Sequence, residues 1–232
     1  MRVWLWPDAR RRICAGWMGL MLALAAPVAA REPAPEIDPA SEPEPAPEPP
    51  SDLPHAHVSA GDISVGASGG FGFGFVRAPA YRGGETDDVN AIALFPQIGY
   101  RVTDRLGGDG WYAGSFEVLL EGNLLWETHP HSGFGGGAGL LLRYDLLSVP
   151  YVIPFGEIGG GMLDLDFGLD DQADGFNFSL HGGAGVRYFI TPNWSASLAC
   201  RWQHISNAGT TLPNDGIDMI QPLLGLSYVF DR

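Results

Sequence analysis

The chain contains no lysine, and only two of its 232 residues are cysteine, Cys14 and Cys200. Thirteen arginines face 27 acidic residues, which gives a net charge of -14. Because binding to nucleic acid requires a basic surface, this charge excludes nucleic acid as a partner. Once an N-terminal export signal is removed, Cys200 stands alone and no intramolecular disulfide can form. Another constraint must therefore hold the fold.

Hydrophobic runs long enough to cross a bilayer as a helix, about 20 residues, are also missing. The longest apolar run, residues 13–26, follows a basic segment with four arginines and precedes a small-residue pattern at residues 28–30. These three features are typical of a secretory signal. We predict a signal peptide over residues 1–30. Its removal takes away four arginines and one aspartate, which makes the mature chain three charges more negative.

Large apolar side chains are scarce in residues 31–58. Residues 31–54 contain nine prolines and seven acidic residues. Such a segment cannot bury enough surface to offset the entropy lost on ordering. We therefore predict a disordered periplasmic linker over residues 31–58, with a spacer or a contact to the cell wall as the functional alternative. Residues 59–232 are predicted to form a single domain.

The remaining chain shows no helical periodicity. Eight segments instead alternate in hydrophobicity between turn signals. They span residues 63–76, 90–103, 111–126, 133–144, 149–167, 176–189, 194–206 and 219–230. Several exceed the usual strand of about five or six residues and match the roughly nine to eleven residues of a tilted membrane-spanning strand. The pattern predicts an all-β fold, an eight-stranded antiparallel transmembrane β-barrel, which side chains fill so that no open pore remains.

The polar residues of these segments share one face. In the third segment Glu117 and Glu121 alternate with Val118 and Leu120. If the apolar face meets lipid, the charged face lines the lumen, where its charges must pair or be hydrated. A luminal polar network is predicted for Glu117, Glu121, Arg187, Arg201 and Gln203. The alternative is a soluble barrel of the lipocalin type, whose apolar faces point inward.

The seventh segment carries a base and a hydroxyl, His204 and Ser206, two residues apart. Side chains two apart lie on one face of a strand, and this face also holds Leu198, Cys200 and Trp202. The pair is therefore predicted to face lipid. With the linker in the periplasm, odd-numbered strands run outward and place the pair in the outer leaflet, which in a Gram-negative outer membrane is lipopolysaccharide. The alternative is a pair of polar residues that lipid headgroups satisfy.

Residues 176–230 contain a wider motif around this pair. It consists of Gly183-Ala184-Gly185-Val186-Arg187-Tyr188-Phe189, Thr191-Pro192, His204-x-Ser206-Asn207-Ala208-Gly209 and Pro213-Asn214-Asp215-Gly216. The motif resembles the outer-membrane lipid A 3-O-deacylases, the PagL type, also grouped as acyloxyacyl hydrolases. The N-terminal half matches this family only in its barrel pattern. The resemblance implies an outer-membrane enzyme that hydrolyses the 3-linked acyl ester of lipid A and releases a 3-hydroxy fatty acid through an acyl-enzyme.

The resemblance also implies roles for individual residues. Ser206 would be the nucleophile, and His204 the base that takes its proton and later protonates the leaving alcohol. The acid of the family is a glutamate, and its position falls on Asp218, whose side chain is one methylene shorter. Asp215 is the second candidate for the acid.

The same resemblance implies that Asn207 and Asn214 stabilise the tetrahedral oxyanion, through side-chain or backbone donors. No cofactor and no metal ion is expected. The His-x-His pairs at residues 55–57 and 129–131 lack further ligands nearby, and the five aspartates between residues 164 and 174 are expected to form an acidic rim. Two alternatives stay open, a homodimer and a structural or adaptor barrel without catalytic activity.

Overall fold

The computed structural model describes residues 59–76, 87–108, 110–149 and 152–230. The predicted signal peptide and linker, residues 1–30 and 31–58, lie outside the described residues. Within the described chain, no helix is long and apolar enough to cross a membrane.

Eight antiparallel strands close into one barrel. They are β1 (Ile63–Val76), β2 (Asp87–Arg101), β3 (Gly114–His129), β4 (Phe134–Leu146), β5 (Val152–Asp166), β6 (Gly175–Phe189), β7 (Trp194–Ser206) and β8 (Ile217–Phe230). Each strand pairs with its neighbours in the chain, and β8 returns to pair with β1. The predicted eight-stranded antiparallel barrel is confirmed. The strands β1 and β7 have the predicted bounds, and the other strand ends differ from prediction by at most three residues.

The two ends of the barrel differ in their connections. The end that holds Ile63 of β1 and Phe230 of β8 is called the terminal end below. The opposite end, called the loop end, carries the β1–β2, β3–β4, β5–β6 and β7–β8 connections. The β7–β8 connection, residues 207–216, therefore follows the predicted catalytic pair directly at the loop end.

Ion pairs fill the lumen from its middle to the terminal end. Arg187 lies 3.1 Å from Glu117, and Arg201 lies 2.8 Å from Glu121 and 2.7 Å from Glu157. All five side chains are buried, and pairing offsets the high cost of removing each charge from water. These positions exclude the lipocalin-type alternative, which turns the charged face outward. The predicted luminal placement is confirmed for Glu117, Glu121, Arg187, Arg201 and Gln203.

The lumen near the loop end is apolar instead, and it determines which way β7 and β8 face. Ile205, Ile217 and Met219 are fully buried there. Burying each of them stabilises the fold by about 1.5–3 kcal/mol. A register shift of one residue would turn these side chains outward and bring His204 and Asp218 inside. The apolar core therefore fixes the polar residues of these two strands on the outer wall.

The outer wall is apolar around its middle and aromatic at both ends. Its exposed large side chains include Ile98, Leu120, Leu140, Ile158 and Leu224. The aromatic pairs are Trp126–Phe134 and Phe176–Phe178 towards the loop end, and Phe116–Tyr144 and Trp194–Tyr228 towards the terminal end. An apolar band between two aromatic girdles is the surface pattern of outer-membrane barrels.

Candidate functional site

His204 of β7 and Asp218 of β8 lie directly opposite each other in the antiparallel register. Opposed residues bring their Cβ atoms to about 4.5–5.5 Å, and here the side chains meet on the outer wall. His204 Nδ1 lies 3.0 Å from Asp218 Oδ1. The two side chains are 30% and 16% exposed, so the pair is half-buried. The structure thus brings together two of the three residues predicted to form a triad.

Ser206 ends β7 and alternates onto the same outward face as His204. Its partner across the ladder is Phe178 of β6. Among the described residues no hydrogen bond joins Ser206 to His204. The imidazole bonds to Asp218 through Nδ1. Nε2 is the ring nitrogen that remains for the serine hydroxyl. Such contacts are often long without substrate and shorten when substrate is bound.

Trp202 is a third side chain at this pair. It lies diagonally across the ladder from Asp218, because its own partner in β8 is Ile220. Its indole Nε1–H donates a hydrogen bond of 3.1 Å to Asp218 Oδ1. Its ring stacks on the His204 imidazole, with centroids 6.0 Å apart and planes inclined by 17°. In the sequence Trp202 is predicted only to lie on the apolar face of β7. The alternation Trp-x-His-x-Ser was the signal that puts all three side chains in one row.

Asn207 and Asn214 hold the β7–β8 loop together. The backbone N–H of Asn207 donates to Asn214 Oδ1 at 2.8 Å, its Nδ2 donates to the carbonyl of Thr211 at 2.8 Å, and its Oδ1 accepts from the backbone N–H of Gly209 at 2.9 Å. Asn207 is buried. Within the described chain Asn214 Nδ2 has no hydrogen-bond acceptor. Of the two predicted oxyanion residues, Asn214 is therefore the one with a free amide donor.

Gln172 connects this loop to the β5–β6 connection. Its Oε1 accepts a hydrogen bond of 2.9 Å from the backbone N–H of Gly216, and its Nε2 donates to Asn214 Oδ1 at 3.3 Å and to Asn177 Oδ1 at 2.9 Å. Its side chain is fully buried. A backbone bond of 3.0 Å from Asp215 N–H to the carbonyl of Asp171 joins the same two loops. Gln172 is not among the residues predicted from the sequence, because no local motif marks a glutamine that acts between two loops.

A groove of about 440 Å³ runs along the outer wall beside the pair. It is lined by Phe75, Trp202, His204, Asp218, Met219 and Ile220. The side chains of Phe75, Trp202 and Ile220 supply the apolar surface, whereas that of Met219 is buried in the luminal core. The polar groups are those of His204 and Asp218 and the indole N–H of Trp202. A groove of this kind suits a ligand with a long apolar part and a polar group where the two residues lie.

The arrangement is suited to activating a hydroxyl group. A carboxylate at Nδ1 holds an imidazole in the tautomer whose Nε2 accepts a proton, and it stabilises the imidazolium that results. Asp218 is the carboxylate at this position, and Ser206 is the hydroxyl on the same face. The catalytic roles of these residues stay predictions, and the geometry supplies the contact between base and acid on which they depend.

Metal ligands do not gather at the site or elsewhere in the described chain. Across residues 59–76, 87–108, 110–149 and 152–230, no group of three or more His, Cys, Asp or Glu side chains is placed to hold a metal ion. In the His-x-His pair at residues 129–131, the contact of His131 with Glu127 is made by the backbone, whose N–H donates to Glu127 Oε1 at 3.3 Å. The pair at residues 55–57 lies outside the described residues.

A sequence profile of the family described as lipid A 3-O-deacylase (PagL) matches residues 97–227. The match covers more than half of the 232 residues and includes His204, Ser206 and Asp218. A search of curated proteins found no match.

Several solved structures have a similar barrel. The outer membrane enzyme PagL is 18% identical over 71% of this chain and 97% of its own, with a TM-score of 0.46. Neisserial surface protein A (NspA) is 16% identical over 73% and 99%, with a TM-score of 0.48. The N-terminal β-barrel domain of OprF from Pseudomonas aeruginosa is 17% identical over 75% and 100%, with a TM-score of 0.44. At these identities the likeness concerns the fold alone, and the sequence profile carries the relationship.

Proposed function

Because the chain belongs to the lipid A 3-O-deacylase (PagL) family, we propose that it hydrolyses the 3-linked acyl ester of lipid A in the outer membrane. The observation that carries the proposal is the hydrogen bond between His204 and Asp218 on the outer wall, in one row with Ser206. A base oriented by an acid beside a hydroxyl is the arrangement of a serine esterase.

The proposed reaction begins with attack of Ser206 Oγ on the ester carbonyl carbon. His204 Nε2 takes the hydroxyl proton, and Asp218 at Nδ1 stabilises the imidazolium. The tetrahedral intermediate carries an oxyanion, to which Asn214 Nδ2 is the proposed donor. A donor of this kind is worth about 3–4 kcal/mol in other hydrolases. The intermediate collapses, the ester C–O bond breaks, and His204 returns its proton to the sugar 3-hydroxyl that leaves.

Water then completes the reaction. His204 removes a proton from the water, which attacks the acyl carbon bound to Ser206. The second tetrahedral intermediate expels Ser206 Oγ, which takes the proton back from the imidazole. The products are a free 3-hydroxy fatty acid and a lipid A that lacks one 3-linked chain.

The position of the site on the wall supports a lipid substrate. The lumen is filled by ion pairs and apolar side chains, so a substrate has no route through the barrel. The groove beside His204 opens on the outer wall, where the acyl chains of the outer leaflet lie if the loop end faces the cell exterior. The enzyme would therefore act on lipid A without removing it from the membrane.

Mass spectrometry of lipid A from Gram-negative cells that express the chain tests the proposal. Wild type should remove one 3-linked acyl chain, and Ser206→Ala should leave lipid A intact. Ser197→Ala, in the same strand and outside the site, is the matched control and should behave like wild type. Intact lipid A from wild type and both variants would instead favour the structural or adaptor barrel.

A further inference from the structure

Two contacts of Trp202 converge on the same pair of residues. The indole N–H donates to Asp218 Oδ1, the oxygen that also contacts His204 Nδ1, and the indole ring stacks on the imidazole. The side chain thus contacts both the acid and the base. At 41% exposure it keeps one face towards the surroundings of the barrel.

We propose that Trp202 is the positioning residue of the His204–Asp218 pair, holding the carboxylate with its N–H and the imidazole plane with its ring. The inference rests on the proposed function for its catalytic consequence. Trp202 transfers no proton itself and acts through His204, which does, and through Asp218, which orients His204.

The hydrogen bond addresses a difficulty of the outer wall. A carboxylate that faces an apolar environment is costly unless donors satisfy it. An aspartate has a short side chain, so its donors must come from the two strands next to it. An indole N–H is a donor that does not ionise, so it can hold Asp218 Oδ1 without competing for the proton that His204 carries.

The ring contact fixes the second partner. Near-parallel rings at 6.0 Å lie within the range of stacked aromatic pairs, so the indole restricts rotation of the imidazole out of its plane. With Nδ1 held at Asp218, the orientation of Nε2 is then fixed as well. The imidazolium that forms in the transition state also lies over an aromatic face, which attracts a cation more than a neutral ring.

The first test compares Trp202→Phe with wild type in assays of fatty acid release from lipid A in detergent micelles. Phenylalanine keeps a ring and loses the N–H. We expect kcat to fall roughly tenfold, which corresponds to about 1.4 kcal/mol, with KM changed less than twofold. The control is Trp126→Phe, since Trp126 is also 41% exposed on the outer wall and lies in β3, away from the site. It should retain the wild-type kcat.

Coupling to Asp218 separates positioning from a general loss of packing. In an Asp218→Ala background, Trp202→Phe should lower the remaining rate no further, because the group it holds is gone. A raised KM with unchanged kcat in Trp202→Phe would show a binding role and overturn the inference. So would equal kcat values for Trp202→Phe, Trp126→Phe and wild type, and in both cases the proposed function would stand.

A spectroscopic readout tests the positioning without using activity. The indole ¹H–¹⁵N signal of Trp202, identified by its loss in Trp202→Phe, should shift in Asp218→Ala, whereas the Trp126 signal should not. The ring ¹⁵N signals of His204 should shift in Trp202→Phe and not in Trp126→Phe. If wild type releases no fatty acid, the proposed function is wrong and these signals alone decide the positioning. Unmoved Trp202 and His204 signals would overturn it.

Discussion

Gly216 lies against the edge of the His204 imidazole. A Cβ atom at Gly216 would be 2.8 Å from His204 Cε1, closer than real side chains approach, and the backbone there has a φ of +79°. The absence of a side chain at Gly216 is thus part of the geometry that keeps His204 beside Asp218.

Gly216→Ala should therefore displace the imidazole and lower the deacylation rate at least tenfold. Gly209→Ala is the control, since Gly209 has a φ of +78° but nothing within 4 Å of a Cβ atom. Both variants should lose about 1–3 kcal/mol of unfolding free energy from backbone strain. Only Gly216→Ala should also lose activity per folded molecule. Equal activities of the two variants would contradict the role of this contact.

Asp218→Asn should lower kcat by roughly 10⁴, the loss seen when the acid of another serine hydrolase becomes an amide. The amide keeps the shape of the side chain but no longer stabilises the imidazolium. Asp215→Asn, the second candidate for the acid, should stay within a few fold of wild type. Steady-state kinetics of both variants decides between them. A large loss in Asp215→Asn alone would reverse the assignment.

Asn214→Asp separates the two functions of this residue. The aspartate keeps an oxygen that can accept from Asn207 N–H and Gln172 Nε2, but it lacks the amide donor and adds a negative charge beside the oxyanion. We expect kcat to fall by about 10²–10³, with little loss of stability. Asn207→Ala should instead lower the free energy of unfolding by about 1–3 kcal/mol, because the hydrogen bonds of the loop are left unmade. Kinetics and urea unfolding, measured together on both variants, test this division.

Arg201→Met should destabilise the barrel without changing the chemistry. It removes a cation that lies 2.8 Å from Glu121 and 2.7 Å from Glu157 in the buried lumen. Breaking one side of such a network costs roughly 3–5 kcal/mol. Arg105→Met removes an exposed bond to the carbonyl of Gly108 and a part-buried bond to the carbonyl of Leu147, but it leaves no buried charge unpaired and should cost less. Unfolding free energies in lipid vesicles measure the difference, and a similar loss in both variants would contradict it.

Strand parity was the part of the fold that the sequence predicted best. In β7 the face of His204 carries mostly apolar side chains, whereas Arg201 and Gln203 lie on the other face. Alternation alone therefore placed His204 and Ser206 on the outer wall. Strand ends were predicted less well. Residues 111–113 were predicted to belong to β3, but a turn lies there, in which Ala113 N–H bonds to the carbonyl of Gly110.

The predicted site residues show a similar division between what a local pattern reveals and what depends on contacts between elements. His204 and Ser206 follow from a local period of two, and the Asp218 position came from the family resemblance. The contacts of Gln172 and Trp202 could not be predicted, because they depend on how two loops meet and on where an indole points across a ladder. Alternation puts Trp202 in one row with His204 and Ser206, but the contacts themselves leave no periodic signal in the chain. For the same reason the sequence could not show that Asn207 bonds within the loop whereas Asn214 keeps a free amide donor.

Asp218 lies in the last strand, opposite His204 of β7 on one side and Phe75 of β1 on the other. The last strand of this barrel has both neighbours only when the sheet has closed on itself. On the proposed mechanism, a β7–β8 hairpin that has not yet met β1 can already hold the nucleophile, the base and the acid, but it lacks Phe75, which lines the groove beside them. Closure of the barrel then acts as a safeguard against early hydrolysis. A chain that is not yet assembled spares the lipids that it meets before it reaches its final membrane. During refolding, hydrolysis should appear in step with the compact folded band on a gel, and an earlier onset would contradict this safeguard.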